Sequence, residues 1–179
     1  MMTTKFLYTI IAFLIATGAY AQKSDGTTKS LVKAEAEFAE TLGKDGAKTA
    51  YTTFAANDGL VFRPNPVNAK TFYGSQPESK DVVWSPAYAK VSRSGDFGYT
   101  TGPFSIADKE YGQYLTIWKA VNGKWEVALD LGVSHNKPLK PVTNEYVEPK
   151  DFYKPKFLND KQRQTGAEII GTTEETLNT

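Results

Sequence analysis

The sequence contains no cysteine and only one histidine among its 179 residues. The absence of cysteine excludes disulfides, thiolate metal ligands and a cysteine nucleophile. The formal net charge is +1, and no run of lysine or arginine provides an electrostatic footprint for a phosphate backbone. We therefore expect no nucleic-acid partner, and no ligand spacing indicates a metal site or a cofactor.

No apolar run in the sequence is long enough to span a bilayer as a helix. The run at residues 6–16 follows a single positive charge, Lys5, and precedes Ala19 and Ala21, small residues at the positions that a signal peptidase reads. We predict that residues 1–21 are a cleaved signal peptide and that the mature chain, without a membrane span, is periplasmic or secreted from a bacterium. The alternative interpretation is a retained membrane anchor.

A β-hairpin is the clearest element of the sequence. Two β-branched and aromatic runs, residues 114–121 and 124–131, flank Asn122 and Gly123, the dipeptide that favours a type I′ turn. If both strands are regular, an aromatic inner face consists of Tyr114, Thr116, Trp118, Trp125, Val127, Leu129 and Leu131. The outer face then consists of Leu115, Ile117, Lys119, Glu126, Ala128 and Asp130, and its apolar members predict a subunit contact and a homodimer.

The order of the other elements predicts the fold class. Apolar residues at helical spacing follow Ser30, a possible N-cap, and end at Gly43; a second helix is expected at residues 47–56. A short strand at 60–63, helical turns at 69–73, and strands at 84–93 and 97–106 come next. This order predicts an α+β fold, a cone-shaped half-barrel with a curved antiparallel sheet wrapped around the N-terminal helices. We expect one domain at residues 22–137 and a polar, proline-containing tail at 138–179.

Several segments in this order resemble exported bacterial members of the nuclear-transport-factor-2-like superfamily, which includes SnoaL-like and steroid-isomerase-like proteins. The segments are the helix around Phe38, FAANDGLVFRPNP at 54–66, WSP at 84–86, SGDFGYTTGP at 94–103, GQYLTIW at 112–118 and WEVALDLGVSH at 125–135. The most similar group is domain-of-unknown-function family 4440. The resemblance covers residues 31–135 and implies a cone with a pocket at its open end, in a protein that is often dimeric.

The resemblance also permits a check of steroid-isomerase chemistry, which requires a carboxylate base and acidic hydrogen-bond donors. The base would lie just before Pro64, where this sequence has Arg63, and arginine cannot accept the proton. The tyrosine donor of the first helix corresponds to Phe38, and residues 114–121 contain no carboxylate. We therefore expect no steroid-type isomerisation.

Arg63 is the candidate anchor for a small, anionic and partly apolar ligand, since its forked guanidinium suits a carboxylate or phosphate. The candidate aromatic walls of the pocket are Tyr51, Trp84, Tyr99, Tyr114 and Trp118. The alternatives are a structural salt bridge from Arg63 to Asp58 or Asp96, and plain core packing for the aromatic rings.

Three functions remain open from the sequence. The first is a non-catalytic module that binds a small molecule in the cone. The second is an enzyme of the isomerase, cyclase or dehydratase kind that uses His135, Asp130 or Tyr99 as catalytic groups. His135 and Asp130 lie on opposite faces of a straight strand, so they are not expected to pair. The third is a dimeric protein-interaction module.

Overall fold

The computed structural model describes residues 24–136 and 158–177. The predicted signal peptide and the proline-containing part of the predicted tail lie outside the described residues. The elements are α1 (Thr28–Asp45), α2 (Ala47–Phe54), β1 (Ala55–Phe62), β2 (Pro66–Asn68), α3 (Ala69–Ser75), β3 (Val82–Trp84), β4 (Tyr88–Val91), β5 (Phe97–Ile106), β6 (Glu110–Val121), β7 (Lys124–His135) and α4 (Asp160–Leu177). No described helix is long and apolar enough to cross a membrane.

One curved sheet of seven strands organises the fold. Its order is β2-β1-β7-β6-β5-β3, and β4 also pairs with β5, so within the described residues the sheet stays open. Every pair is antiparallel except β1 with β7, which is parallel. The helices α1 and α2 precede the sheet in the chain and pack on its inner face. This arrangement confirms the predicted α+β class and the open cone around N-terminal helices.

The first helix starts and ends at different residues from those predicted. Thr27, not Ser30, is the N-cap, and its side chain accepts a hydrogen bond from the Ser30 amide at 3.2 Å. Gly43 does not end the helix, which continues to Asp45. The helix ends at Gly46, where φ is +98° and the amide donates to the Leu42 carbonyl, because glycine adopts a positive φ without a steric cost.

The hairpin of β6 and β7 is confirmed, and both strands are longer than the sequence indicated. Asn122 and Gly123 both have positive φ, as a type I′ turn requires. The predicted strand at 84–93 is instead two strands, β3 and β4, separated at residues 85–87. The chain between β3 and β4 passes close to β5. Gly102 of β5 leaves room for it, because a Cβ there would lie 2.2 Å from the Ser85 carbonyl oxygen.

The predicted faces of β7 are wrong beyond its middle. Ile117 pairs with Leu129 but Trp118 pairs with Val127, so Ala128 is an extra residue, a β-bulge. A bulge of one residue exchanges the two faces of all that follows it. Leu129 and Leu131 therefore lie on the outer face, and Asp130 lies on the inner face.

The hydrophobic core lies between the N-terminal helices and the inner face of the sheet. Phe38 of α1 is at its centre, with ring centroids 5.1 Å from Tyr51, 5.2 Å from Trp84 and 6.0 Å from Trp118. Trp118 and Trp125 are fully buried beneath α1. These edge-on aromatic contacts add to the burial of apolar area and fix α1 against the sheet.

The helix α4 follows the second undescribed segment, in a region to which the sequence analysis assigned no element. Asn159 and Gln162 form a reciprocal cap: the Gln162 amide donates to Asn159 Oδ1 at 2.9 Å, and the Asn159 amide donates to Gln162 Oε1 at 3.1 Å. Arg163 forms an ion pair with Asp96 at the start of β5.

Candidate functional site

A fully buried carboxylate, Glu35, lies between α1 and the inner face of the sheet. Its relative exposure is 0%. The indole N–H of Trp84 donates to Oε1, whereas Oε2 accepts the Thr100 hydroxyl proton and, at 3.1 Å, the indole N–H of Trp118. Among the described residues no cation forms an ion pair with Glu35, so neutral donors alone satisfy it.

Burial raises the pKa of Glu35 to about 7, and its three hydrogen bonds oppose that rise. The Coulomb interaction with Asp130 acts in the same direction as burial. The carboxyl group therefore changes protonation near neutral pH. Because helix, sheet and three donors enclose it, Glu35 titrates inside the core and does not contact solvent.

A second inner-face carboxylate, Asp130, lies on β7 opposite Thr116 of β6. It is half-buried, and it accepts hydrogen bonds from the Tyr51 hydroxyl and, at 2.9 Å, from the Thr116 hydroxyl. Burial raises the pKa of Asp130, although these two hydrogen bonds and the positive charge of Arg63 lower it. Asp130 is thus a carboxyl group with an elevated pKa that is enclosed by its two donors, Tyr51 and Thr116.

Arg63 follows the end of β1 and is exposed. Its guanidinium donates to the Phe62 carbonyl at 2.7 Å and to the Tyr73 hydroxyl, and its Cζ lies 5.8 Å from the Phe72 ring centroid and 5.6 Å from that of Tyr73. The Tyr73 ring in turn stacks on Tyr51, with centroids 3.8 Å apart. A chain of contacts therefore connects the exposed guanidinium through two tyrosine rings to the Asp130 carboxylate.

The alternative salt bridges of Arg63 are wrong. Asp58 pairs with Lys119, and Asp96 pairs with Arg163. Within the described part of the chain, Arg63 contacts no carboxylate. Its hydrogen bonds to described residues use two of its five N–H groups.

Tyr114 lies on the inner face of β6, two residues from Thr116. Its paired positions on the neighbouring strands are Gly102 on β5 and Gly132 on β7. The residue is only 6% exposed, and its buried hydroxyl interacts with the Thr100 side chain, although not with the geometry of a regular hydrogen bond. Burial, with Coulomb contributions from the carboxylates Glu35 and Asp130, raises the pKa of Tyr114 well above its ordinary value, so the hydroxyl keeps its proton.

The structure brings together only some of the predicted site residues. Tyr51, Trp84, Tyr114, Trp118 and Asp130 share the interior with the helices, and Trp84 and Trp118 serve there as core residues that bind Glu35.

Tyr99 and His135 lie on the outer face of the sheet. Tyr99 pairs with Ile117 and Lys90, and its ring lies 5.9 Å from Tyr88. His135 pairs with Tyr111, on the face opposite to Asp130. Neither residue therefore joins the interior group with Asp130.

Sequence reasoning missed Glu35, Thr100, Thr116 and Tyr73. For Glu35 a signal was present: the helix buries Leu31, Phe38 and Leu42, and position 35 falls on that same stripe. The inward direction of Asp130 had no local signal, because the bulge at Ala128 is set by pairing with β6 and β1. Among the described residues, no group of three or more histidine, aspartate and glutamate side chains is arranged to hold a metal ion.

No protein-family model matches the sequence, and no curated protein matches it. Solved structures do match its fold. A protein of unknown function from the DUF3225 family of Pectobacterium atrosepticum is 11% identical over 60% of this chain and 90% of its own, with a TM-score of 0.50. Two nuclear-transport-factor-2-like (NTF2-like) proteins of unknown function also match. The one from Shewanella baltica is 12% identical over 62% of this chain and 98% of its own, with a TM-score of 0.46. The one from Silicibacter pomeroyi is 13% identical over 61% of this chain and 99% of its own, with a TM-score of 0.47. At these identities the likeness concerns the fold alone.

Proposed function

We propose that this chain is an exported module that binds a small, anionic and partly apolar molecule at the open end of its cone. The observation that carries it is the setting of Arg63, an exposed guanidinium held against two aromatic rings with N–H groups to spare. A carboxylate on the ligand takes two parallel hydrogen bonds from that guanidinium.

The surroundings of Arg63 favour a ligand with an apolar part beside its charge. Phe72 and Tyr73 supply ring faces at the guanidinium, and the Tyr51 ring continues them towards Asp130. The carboxylates Asp130 and Glu35 disfavour a second negative charge deeper in the cone. The bound molecule therefore places its anionic end outward and its neutral end inward.

A thermal-shift and calorimetry screen of the mature chain against small aliphatic and aromatic carboxylates tests the proposal. A ligand at a hundred times its dissociation constant adds about 2.7 kcal/mol of stability. Arg63→Ala is expected to remove the shift, and Arg63→Lys to weaken it because lysine lacks the fork. Arg93→Ala, at another exposed arginine, is the control and should leave the shift unchanged. Loss of the shift in both alanine variants would indicate unspecific charge attraction.

An enzyme of the isomerase, cyclase or dehydratase kind is the second candidate, and the position of Asp130 favours it. Burial raises the pKa of Asp130, and a carboxyl group with a raised pKa is suited to taking up and releasing a proton. Substrate turnover that Asp130→Asn abolishes, without a change in ligand affinity, would support this candidate over the binding module.

We also propose a homodimer formed through the outer face of the sheet. Phe97 and Val133 on this face are 49% and 64% exposed, and Leu60 and Phe62 extend the apolar surface along β1. Burying such side chains in a dimer stabilises it by removing apolar area from water. Analytical ultracentrifugation should find a dimer that Val133→Glu dissociates. The control variant Ile169→Glu, on α4, should remain a dimer. A wild-type monomer at high concentration would contradict the proposal.

The proposed export is tested by expressing the full chain in a bacterium and fractionating the cells. Mass spectrometry of the periplasmic or secreted product should give a chain that begins at Gln22. An uncleaved product in the membrane fraction would favour the anchor instead.

A further inference from the structure

Four side chains form a continuous series of contacts between the protein surface and its interior. The exposed Arg63 guanidinium donates a hydrogen bond to the Tyr73 hydroxyl. The Tyr73 ring lies nearly parallel to the Tyr51 ring, with an interplanar angle of 5° and centroids 3.8 Å apart, and the two hydroxyl groups interact. The Tyr51 hydroxyl donates to Asp130 Oδ2. The series therefore joins an exposed cation to an enclosed carboxyl group.

Asp130 is the member of this group that can gain or lose a proton near neutral pH. Burial, followed by the Coulomb interactions with Asp130 and Tyr73, raises the pKa of Tyr51 well above its ordinary value. Thr116, whose hydroxyl does not ionise, is the second donor to Asp130, at 2.9 Å from Oδ1. Both carboxyl oxygens therefore face donors that keep their protons.

The protonation of Asp130 depends on the charge at Arg63. Burial raises the pKa of Asp130, whereas the hydrogen bonds from Tyr51 and Thr116 and the positive charge of Arg63 lower it. An anion bound to the guanidinium compensates that positive charge, so the ionised form of Asp130 loses part of its stabilisation. Hydrogen bonds in a series also polarise one another, so the two tyrosine hydroxyls transmit part of the change.

The other charged and titratable groups that interact with Asp130 come from neighbouring elements. Glu35 of α1 and Tyr114 of β6 interact with it electrostatically. Tyr114 keeps its proton because burial raises its pKa, but Glu35 has a pKa of about 7 and titrates near neutral pH. Glu126 and His135 of β7 itself lie on the outer face of the sheet. A test of Asp130 therefore has to separate it from Glu35.

We propose that an anion that binds at Arg63 causes Asp130 to take up a proton. The proton comes from the solvent and joins a carboxylate oxygen, which becomes a neutral carboxyl group. This inference rests on the proposed binding function and adds its regulation by pH. Because coupling between two binding events is reciprocal, protonation of Asp130 strengthens anion binding by the same factor. The site therefore binds anions more tightly as pH falls.

Calorimetry with two matched probes, phenylbutyrate and phenylpropanesulfonate, tests the inference. The probes share their apolar part, and the sulfonate keeps its charge throughout the pH range used. Both should bind about threefold more weakly at pH 8 than at pH 5.5, which corresponds to a coupling of about half a pKa unit. At intermediate pH the heat of binding should differ between bis-Tris and imidazole buffers, because the buffer supplies the proton.

Three variants identify the group that takes up the proton. Asp130→Asn should bind both probes with an affinity that no longer depends on pH. Glu35→Gln should keep the pH dependence of the wild type. Tyr73→Phe, which retains the ring but lacks the hydroxyl, should reduce it. A dependence that disappears in Glu35→Gln, or persists in Asp130→Asn, overturns the inference.

Titration of Asp130 without a ligand supplies a second measurement. Removing the guanidinium acts like compensating its charge, so the Asp130 carboxyl carbon, followed by NMR, should titrate at a higher pH in Arg63→Ala than in the wild type. Arg93→Ala removes the charge of another exposed arginine and should leave the titration unchanged. The same Asp130 titration in all three proteins contradicts the inference.

The outcomes separate this inference from the proposed function. If Arg63→Ala removes binding but the wild-type affinity is the same at every pH, the inference is overturned and the Arg63 site stands. If Arg63→Ala binds both probes as the wild type does, the anion binds elsewhere and both are overturned. Both are also overturned if neither probe binds, since each is small, anionic and partly apolar.

Discussion

Replacing Glu35 by glutamine should change how the stability of this protein depends on pH. Burial moves the pKa of Glu35 from its ordinary value of 4.5 to about 7 in the folded chain. Between these values the folded state binds more protons than the unfolded state, so stability is greatest at the acidic end and falls as pH rises. Each pH unit of difference corresponds to 1.36 kcal/mol, and the total contribution is roughly 3 kcal/mol.

Glutamine has the same shape but no charge, so Glu35→Gln removes this pH dependence and keeps the packing. At pH 4.5 the Glu35 carboxyl is protonated in the folded state, so both side chains are neutral and the two proteins should have similar stability. From there to pH 8 the difference should shift towards the variant by about 3 kcal/mol. Urea unfolding followed by tryptophan fluorescence, at half-unit pH intervals, measures both curves.

Asp130 contributes to the same pH dependence, since burial raises its pKa as well. This contribution is present in both proteins and cancels in the difference between them, apart from the Coulomb interaction between Asp130 and Glu35, which is lost in the variant. Two stability curves that run parallel from pH 4.5 to 8 would refute the reasoning. In that case the donors Trp84, Thr100 and Trp118 would outweigh burial and keep Glu35 ionised.

Three further substitutions test the contacts around the site. Tyr51→Phe removes a donor to the partly buried Asp130 and should cost about 1–3 kcal/mol in urea unfolding; no loss would show that solvent replaces the tyrosine. Trp84→Phe removes a donor to Glu35, so its cost should be larger at pH 8, where the carboxylate is charged, than at pH 5; equal costs would point to packing alone. Asn159→Ala removes the N-cap of α4 and should destabilise that helix by about 1 kcal/mol. Hydrogen exchange should then show faster exchange of amides confined to α4. Unchanged exchange would mean that the cap contributes nothing.

Much of the fold was predictable because its signals are local. The Asn122 and Gly123 turn determined the hairpin register near the turn, and the apolar spacing of α1 indicated which side of that helix is buried. The split of one predicted strand into β3 and β4 was not predictable, because the path of residues 85–87 between these strands depends on contact with β5.

The candidate site was less predictable than the fold. Arg63 was recognised as a candidate anchor from its residue type and its place before Pro64, but its partners Phe72 and Tyr73 depend on how α3 packs. Glu35 looked like one of several surface acids on an amphipathic helix. Only the sheet beneath it, with Thr100 and Trp118, makes that position interior.

Asp130 shows most clearly what the sequence determined and what tertiary structure decided. Strict alternation along β7 places its side chain on the outer face, and no residue near it signals otherwise. Ala128 bulges because β7 pairs with β6 on one side and with β1 on the other, and the extra residue turns Asp130 towards Tyr51. The sequence by itself determined the first helix and the hairpin turn, since these follow from interactions between near neighbours. The pairing of distant strands decided which carboxylates the interior contains, because the direction of a side chain on a strand depends on the register of its partners.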